Sequence, residues 1–147
     1  KGTGVINRLF HGYGKFEGEM DGRKNGALIS MATGKAVAFA IFNLQARGEM
    51  FVTHNDPVYE GMIVGLAPKP GDMIINVMKG KQLTNMRTQG TDENVVLTPV
   101  RQMSIAEQLS MLNTDEALEI TPKSLRLRKA ILNPNDRKKN EKSATPL

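Results

Sequence analysis

The stretch ALISMATGKAVAFAI (27–41) contains two apolar runs, separated by a short segment at 32–34 that includes a glycine. Short apolar runs bounded by turn residues are typical of β-strands. The pattern therefore predicts strands over 27–31 and 35–41, joined as a hairpin by the turn at 32–34. It indicates a β-rich fold.

Further short apolar runs follow, with glycines and prolines between them. They predict additional strands at 50–53, 61–66, 73–78, 95–98 and 117–120. Short strands joined by Gly/Pro turns are typical of barrels and sandwiches. We therefore expect an α+β fold that is mainly β, a compact barrel-like domain with one or two short helices and one long functional loop.

The clearest helix signal lies at Ser104, because Ser104 and Glu107 have the spacing of a capping box. The apolar residues that follow at helical spacing, and so predict a buried face, are Ile105, Leu109 and Leu112. One helical turn is expected over 42–47, and a last helix from Asn133 with a proline in its first position.

Composition divides the chain into segments. Residues 14–26 are rich in glycine and charge, which predicts a linker. Residues 1–13, with a strand predicted over 5–10, would then be the last strand of a preceding domain. Residues 27–142 would form a separate C-terminal domain, followed by a tail at 143–147. Since the sequence starts with lysine and not methionine, we expect it to be cut from a longer protein.

Residues 79–94 show neither a helical nor a strand period, and Leu83 and Met86 are their only apolar members. A loop this long is usually functional or disordered. Its three cations precede its first acid, Asp92, and its polar side chains are suited to phosphates, sugars and base edges. The loop is thus a candidate RNA contact, and an ordinary connecting loop is the alternative.

The positive charge is concentrated near the end of the sequence. Residues 123–147 contain eight Lys and Arg against two Asp and Glu, whereas residues 1–122 contain 12 against 13. Such a block attracts phosphate backbones through counterion release. Within it two leucines alternate with Arg126 and Arg128, which predicts a strand with an apolar inner face and a cationic outer face. The alternative is a solvated tail.

Several classes of site are excluded or disfavoured by the residues. The chain has no cysteine, which excludes disulfides, thiolate zinc sites and cysteine nucleophiles. His11 and His54 lie in separate segments without a ligand-spaced partner, so metal ligation is not expected. The Gly-Lys pairs at 34–35 and 80–81 lack the following Ser or Thr of a phosphate loop, and we expect no cofactor in this chain. No apolar run is long enough to span a membrane, and we expect a cytoplasmic protein.

Five stretches resemble, in order, the C-terminal region of the TypA/BipA family of translational GTPases. They are NGALIS (25–30), FNLQARG (42–48), VYEGMIVG (58–65), KQLTNMR (81–87) and TPKSLRLRK (121–129). A further stretch, GTGVINRLFHGY (2–13), resembles the closing strand of the family's preceding, ferredoxin-like domain, which is similar to the fifth domain of elongation factor G. The similarity runs along nearly the whole chain.

This resemblance implies a longer parent whose N-terminal domain would bind GTP and magnesium. Members of the family bind the bacterial ribosome and are linked to stress adaptation and large-subunit assembly. Their loop carrying KQLTNMR reaches toward the peptidyl-transferase region and the acceptor arm of A-site tRNA. That role is thereby implied for Lys79, Lys81, Asn85, Met86 and Arg87, although Gln82 stands where a second lysine is common.

Two functions from different classes fit these observations. The first is a non-catalytic ribosome-binding module, whose loop contacts ribosomal RNA or tRNA while Arg126, Arg128 and Lys129 bind phosphates. The second is an interdomain scaffold that packs on other domains of the parent. RNA binding through several phosphates weakens steeply with salt, whereas packing does not, so the salt response separates the two.

Overall fold

The structure is a computed structural model, and it describes residues 7–16, 23–80 and 96–144. The strands are β1 (Ala27–Ser30), β2 (Gly34–Lys35), β3 (Glu49–Met50), β4 (Pro57–Val58), β5 (Ile63–Leu66), β6 (Met73–Ile75), β7 (Glu116–Ile120) and β8 (Leu125–Lys129). The helices are α1 (Ala38–Gln45), α2 (Ile105–Ser110) and α3 (Pro134–Ala144).

A four-stranded sheet in the order β3-β5-β1-β6 forms the centre of the fold. Strand β1 pairs with β5 in the antiparallel sense and with β6 in the parallel sense. The main core packs against this sheet and is built from Ala, Val, Ile, Leu and Met side chains, including Leu28, Ile41 and Val64. An α+β fold with short strands is thus confirmed.

The barrel expectation is not confirmed. In the described part of the chain the sheet ends at the edge strands β3 and β6, and the other strands form two separate two-stranded sheets. The same residues contain three helices: α2 and α3 lie where helices are expected, and α1 replaces both the end of the strand predicted over 35–41 and part of the helical turn predicted over 42–47.

The predicted hairpin over 27–41 is wrong. Both edges of β1 are occupied, by β5 and β6, so no edge is left for β2, which pairs with β4 instead. The predicted strand over 35–41 is also wrong, because α1 begins at Ala38 after Val37 in extended conformation. A continuous apolar run does not distinguish a buried strand from a buried helix, and burial of Ala40 and Ile41 accounts for the hydrophobicity here.

Two other predicted strands, over 5–10 and 95–98, are absent from the residues that the structure describes. Residues 7–10 and 96–98 carry no strand, while 5, 6 and 95 lie outside the described residues. The strands predicted at 50–53 and 73–78 are shorter than expected, since β3 and β6 end at Met50 and Ile75.

The C-terminal elements agree better with the sequence. Helix α2 begins with the predicted capping box at Ser104 and Glu107, and strands β7 and β8 and helix α3 lie where they are expected. The predicted apolar face of α2 is confirmed only at Leu112, which packs against the buried residues around Ile63 and Leu127 but lies beyond the end of the helix. Ile105 and Leu109 are half exposed, and the buried residue of this helix is Gln108.

The β7–β8 hairpin docks on the central sheet at Gly61. The amide of Lys129 donates to the carbonyl of Gly61 at 2.9 Å, next to a bridge between Met62 and Arg128. Gly61 has φ of +83°, and a Cβ there would lie 2.7 Å from the Cα of Leu132. Glycine is therefore required for this close approach.

Candidate nucleic-acid interface

A cationic groove lies between helix α1 and strand β6. It has a volume of about 560 Å³ and is lined by Arg47 and Lys79 together with apolar and amide side chains, and no carboxylate among the described residues lines it. Both cations are exposed, and neither forms an ion pair within the described ranges. The groove therefore presents positive charge that no acid among the described residues neutralises.

Backbone bonds set the positions of both cations. The amide of Arg47 donates to the carbonyl of Leu44 at 2.8 Å and closes the end of α1. On the other side, Val77 is fully buried and its carbonyl accepts from Val37 at 2.9 Å, which ties the segment leading to Lys79 onto the start of α1.

The groove amides are also fixed. Asn43 Nδ2 donates to the carbonyl of Phe39 at 2.8 Å, and Asn76 Oδ1 accepts from the amide of Met78 at 2.9 Å. Amides, cations and partly exposed apolar side chains such as Ile74 together form a surface suited to phosphate and sugar contacts.

Lys79 is the one member of the predicted loop site that the structure describes. Lys81, Asn85, Met86 and Arg87 lie outside the described residues. Arg47 was missed by the sequence reasoning, which treated 42–47 only as a helical turn. The signal was present in FNLQARG (42–48), since a cation at the end of an apolar helix must face water.

On β8, Arg126 and Arg128 are only half buried, as the predicted outer face requires. Arg126 Nη1 lies 3.4 Å from Glu119 Oε1. Arg128 Nη1 donates to the backbone carbonyls of Lys129 and Ala130. Glu119 also accepts a 2.6 Å hydrogen bond from the hydroxyl of Tyr59. Arg126 is thus partly neutralised, and any phosphate must compete with Glu119.

The Tyr59 hydroxyl is strongly perturbed by this environment. Burial, the hydrogen bond to Glu119 and the charge of that carboxylate raise the pKa of Tyr59 to about 12, against an ordinary value of 10.0. The neutral phenol donates to the carboxylate, so its ionisation would break this bond and place two negative charges together.

Lys129 is 1% exposed, which corrects the expectation that it binds phosphate. Its ammonium contacts the carboxylates of Asp72, Asp115 and Glu116. Burial alone lowers the pKa of Lys129, but hydrogen bonds to the three carboxylates outweigh it, and the pKa is raised. The alternation that makes Arg126 and Arg128 face outward places Lys129 on the inner face with Leu127.

Glu116 connects this lysine to Arg23. The guanidinium of Arg23 donates to both oxygens of Glu116, at 2.8 and 3.1 Å, and to the carbonyl of Met111 at 3.2 Å. We call the group formed by Arg23, Asp72, Asp115, Glu116 and Lys129 the buried charge cluster, after its buried side chains, since the carboxylates of Asp72 and Asp115 remain 35% and 58% exposed. It joins the segment before β1 to the hairpin and has no free cation to offer a ligand.

Helix α3 adds exposed positive charge. Lys138, Lys139 and Lys142 are exposed, and only Lys139 has an ion pair among the described residues, to Asp136 at 3.5 Å. Arg137 instead donates to the carbonyls of Ile131 and Leu132, which anchors the start of the helix.

In the described ranges, no three His, Cys, Asp or Glu side chains are grouped so that they could hold a metal ion. Nor does any helix in these ranges combine the length and the apolar character that crossing a membrane requires.

Comparison with known proteins decides the family. The family model described as the TypA/BipA C-terminal domain matches residues 25–134. The chain belongs to this family. The match confirms the resemblance carried by the five stretches between 25 and 129.

Curated TypA/BipA relatives agree over nearly the whole chain. The chain is 49% identical over 147 residues to a protein of Buchnera aphidicola that is named large ribosomal subunit assembly factor BipA, covering 99% of the chain. It is 47% identical over 139 residues to the Salmonella typhimurium protein of the same name, and 43% identical over 145 residues to that of Haemophilus influenzae, covering 94% and 98% of the chain. The chain spans 23–24% of the length of these relatives.

Proposed function

We propose that this chain is a non-catalytic, ribosome-binding C-terminal module of a cytoplasmic translational GTPase that acts in assembly of the large ribosomal subunit and in stress adaptation. The relatives' name, large ribosomal subunit assembly factor, supports the ribosomal part. The parent's GTP and magnesium would be bound outside this chain.

The observation that carries the proposal is the pair of unneutralised cations in the groove. Arg47 and Lys79 line a groove to which no described residue contributes a carboxylate, at the point where the chain enters the loop 79–94. Cations without acidic neighbours are what a phosphate backbone requires. We therefore extend the predicted RNA contact from the loop residues Lys79, Lys81, Asn85, Met86 and Arg87 to Arg47.

The outer face of β8 contributes less to the proposed RNA contact than the groove does. Arg126 and Arg128 remain proposed phosphate contacts, but both side chains already have partners within the protein. Lys129 is removed from the set because it is buried. Ribosomal RNA and A-site tRNA are the proposed partners.

A second role, packing on other domains of the parent, is favoured by residues 7–16. Their large apolar side chains are almost fully exposed: Leu9 by 94%, Phe10 by 80%, Tyr13 by 100% and Phe16 by 83%. Such a cluster of exposed apolar side chains marks a surface that a partner covers. This role is compatible with RNA binding through the groove.

The test is co-sedimentation of the parent protein, with and without residues 79–94, on ribosomes and on separate subunits over a range of salt concentrations. We expect the deletion to weaken binding to large subunits and to flatten its salt dependence. The variant Lys79→Ala, Lys81→Ala, Arg87→Ala should act in the same direction without deleting backbone. Equal binding by both forms across the salt series would exclude the loop as a contact and leave the packing role.

A further inference from the structure

A second concave site, which shares no lining residue with the groove, opens between strand β8, helix α2 and the segments 51–53 and 100–103. Its volume is about 780 Å³, within the range typical of small-ligand pockets. We call this site the cleft. Nothing in the proposed RNA contact of the loop and groove uses it.

An unsatisfied buried amide lines the cleft. Gln108 is 8% exposed, and its Oε1 has no hydrogen-bond partner among the described residues. Its Nε2 donates to the carbonyl of Met103 at 3.4 Å, which sets the orientation of the amide and leaves Oε1 as an acceptor without a donor. Buried acceptors are rarely left unpaired, so this oxygen is available to a hydrogen-bond donor that enters the cleft, whether water or a ligand group.

Cations predominate in the cleft lining. Arg101, Lys123 and Arg126 line it, against the single carboxylate of Asp56. Arg101 and Arg126, however, are already paired with Glu107 and Glu119, which lie outside the lining. The Asp56 carboxylate already accepts from the amide of Thr53 at 2.7 Å. Lys123 is exposed and forms no ion pair in the described part of the chain. An anionic group is therefore the expected neighbour of Lys123.

The walls are apolar and partly open to solvent. Phe51 and Met103 pack against a second, smaller group of buried apolar residues that includes Leu127. Ile105 and Ile120 line the cleft with 48% and 63% of their surfaces exposed. A cleft with apolar side chains on part of its wall, one unpaired acceptor and a cation without an ion pair can accept a ring that carries a donor and an attached anion. A single nucleotide provides all three within one residue.

We propose that the cleft binds one unstacked nucleotide of single-stranded RNA, with an exocyclic amino group of the base donating to Gln108 Oε1 and the phosphate next to Lys123. A protein segment would have to supply the donor, the apolar group and the negative charge from its backbone and from separate side chains. This inference rests on the proposed function, since it names a feature of the RNA that the same module would bind.

Fluorescein-labelled hexamers of cytidine and uridine test the base contact. They differ at position 4, where cytosine carries an amino donor and uracil a carbonyl acceptor, and at N3, which accepts in cytosine and donates in uracil. The proposed contact uses the amino group at position 4, so it predicts a preference for cytidine. In anisotropy titrations of the 147-residue chain, the cytidine hexamer should bind about two- to tenfold more tightly, the value of one neutral hydrogen bond.

Gln108→Leu should abolish that preference, and Gln108→Met, which keeps an unbranched side chain, should do the same. Thermal melts should show both variants folded. Each change removes a buried acceptor that has no protein partner, and its loss therefore costs little stability. Lys123→Ala should weaken both hexamers equally and lower the salt slope by about 0.7 for one contact to a single strand. The exposed Lys35, which lies on β2 and lines neither the cleft nor the groove, supplies the matched control Lys35→Ala, which should change neither property.

The outcomes separate this inference from the proposed function. Arg47→Ala should weaken both hexamers without changing their ratio, since the groove recognises phosphate. Equal binding of the two hexamers by the unmodified chain, or a preference that survives in both Gln108 variants, overturns the cleft assignment and leaves the groove untouched. Loss of ribosome binding in Gln108→Leu with unchanged hexamer binding also overturns it, because the occupant would then be a protein segment.

Discussion

Arg23 and Glu116 lie 93 positions apart in the sequence, yet the guanidinium of one donates to both carboxylate oxygens of the other, at 2.8 and 3.1 Å. Both side chains are shielded from water, with 6% and 0% of their surfaces exposed. The same carboxylate lies 3.0 Å from the ammonium of Lys129. Glu116 is therefore the centre of the buried charge cluster, and its removal leaves two buried cations with fewer partners.

We expect Glu116→Ala to lower the free energy of unfolding by roughly 3–5 kcal/mol, the cost of leaving a buried charge uncompensated. Urea denaturation followed by circular dichroism gives this value. The matched control is Glu49→Ala, which removes an exposed carboxylate 4.0 Å from Arg101 and should cost at most about 1 kcal/mol. Similar losses in the two variants would show that the cluster does not stabilise the fold.

The cluster also predicts a pH range of stability. Burial alone raises the pKa of Asp72, but hydrogen bonds from Lys129 and from the amide of Ala27 outweigh it and hold that pKa below its ordinary value of 3.8. Its contribution is present above the unfolded value and is lost as the pH falls through the folded one. The raised pKa of Lys129 has the opposite sense, and its contribution is lost as the pH rises above 10.5.

Urea midpoints measured across pH should therefore be highest between about pH 4 and pH 10. In Asp72→Asn the midpoint at neutral pH should fall, and its further decline in acid should be shallower than in the unmodified chain. An unchanged acid limb would show that another carboxyl group controls acid unfolding.

The absorbance of Tyr59 offers a spectroscopic check of its hydrogen bond to Glu119 on the β7–β8 hairpin. The chain has two tyrosines, so Tyr13→Phe leaves Tyr59 as the single source of tyrosinate absorbance. Its midpoint should lie near pH 12 while the protein remains folded, because the neutral phenol donates to Glu119. Since the raised pKa favours the neutral form, this contribution to stability is present below pH 10.0 and is lost as the pH rises through 12. Adding Glu119→Gln should lower the midpoint, and an unchanged value would exclude the contact.

The sequence predicted the C-terminal elements well because their signals are local. The capping box at Ser104, the alternation in β8 and the proline at the start of α3 each depend on neighbouring residues. The partners of β1 were not predictable in the same way. They are set by β5 and β6, which lie far along the chain, and apolar residues alone do not specify which edges meet.

The candidate site likewise combines local features, which the sequence predicts, with long-range contacts, which it does not. The exposure of Lys79 followed from its polar surroundings, but the groove exists because α1 and β6 come together, which placed Arg47 beside it. The burial of Lys129 was implied by period two, yet the three carboxylates that neutralise it come from different parts of the chain. A positive charge alone therefore does not assign Lys129 to a surface that binds phosphate.

Ser104→Ala tests the cap of α2. The Ser104 hydroxyl accepts from the amide of Glu107 at 3.3 Å, and the Glu107 carboxylate accepts from the amide of Ser104 at 2.9 Å. Losing the hydroxyl should cost about 1 kcal/mol in unfolding free energy. Ser110→Ala, at the other end of the helix, is the control and should cost less, since that hydroxyl only donates to a helical carbonyl. A loss of ribosome affinity at unchanged stability would instead place Ser104 in a contact surface.

The groove cations carry the functional proposal, and their contribution is measurable from salt dependence. Arg47→Ala and Lys79→Ala should each leave the fold intact, because both side chains are exposed and form no ion pair within the described ranges. If each contacts one phosphate, each variant should reduce the slope of log affinity against log salt by about 0.7–0.9, and the double variant by the sum. Lys35→Ala, on β2 and outside the groove, is the matched control for a lost surface charge. A parallel loss of slope in Lys35→Ala would reveal a nonspecific effect of net charge, whereas a loss confined to Arg47 and Lys79 assigns the phosphate contacts to the groove.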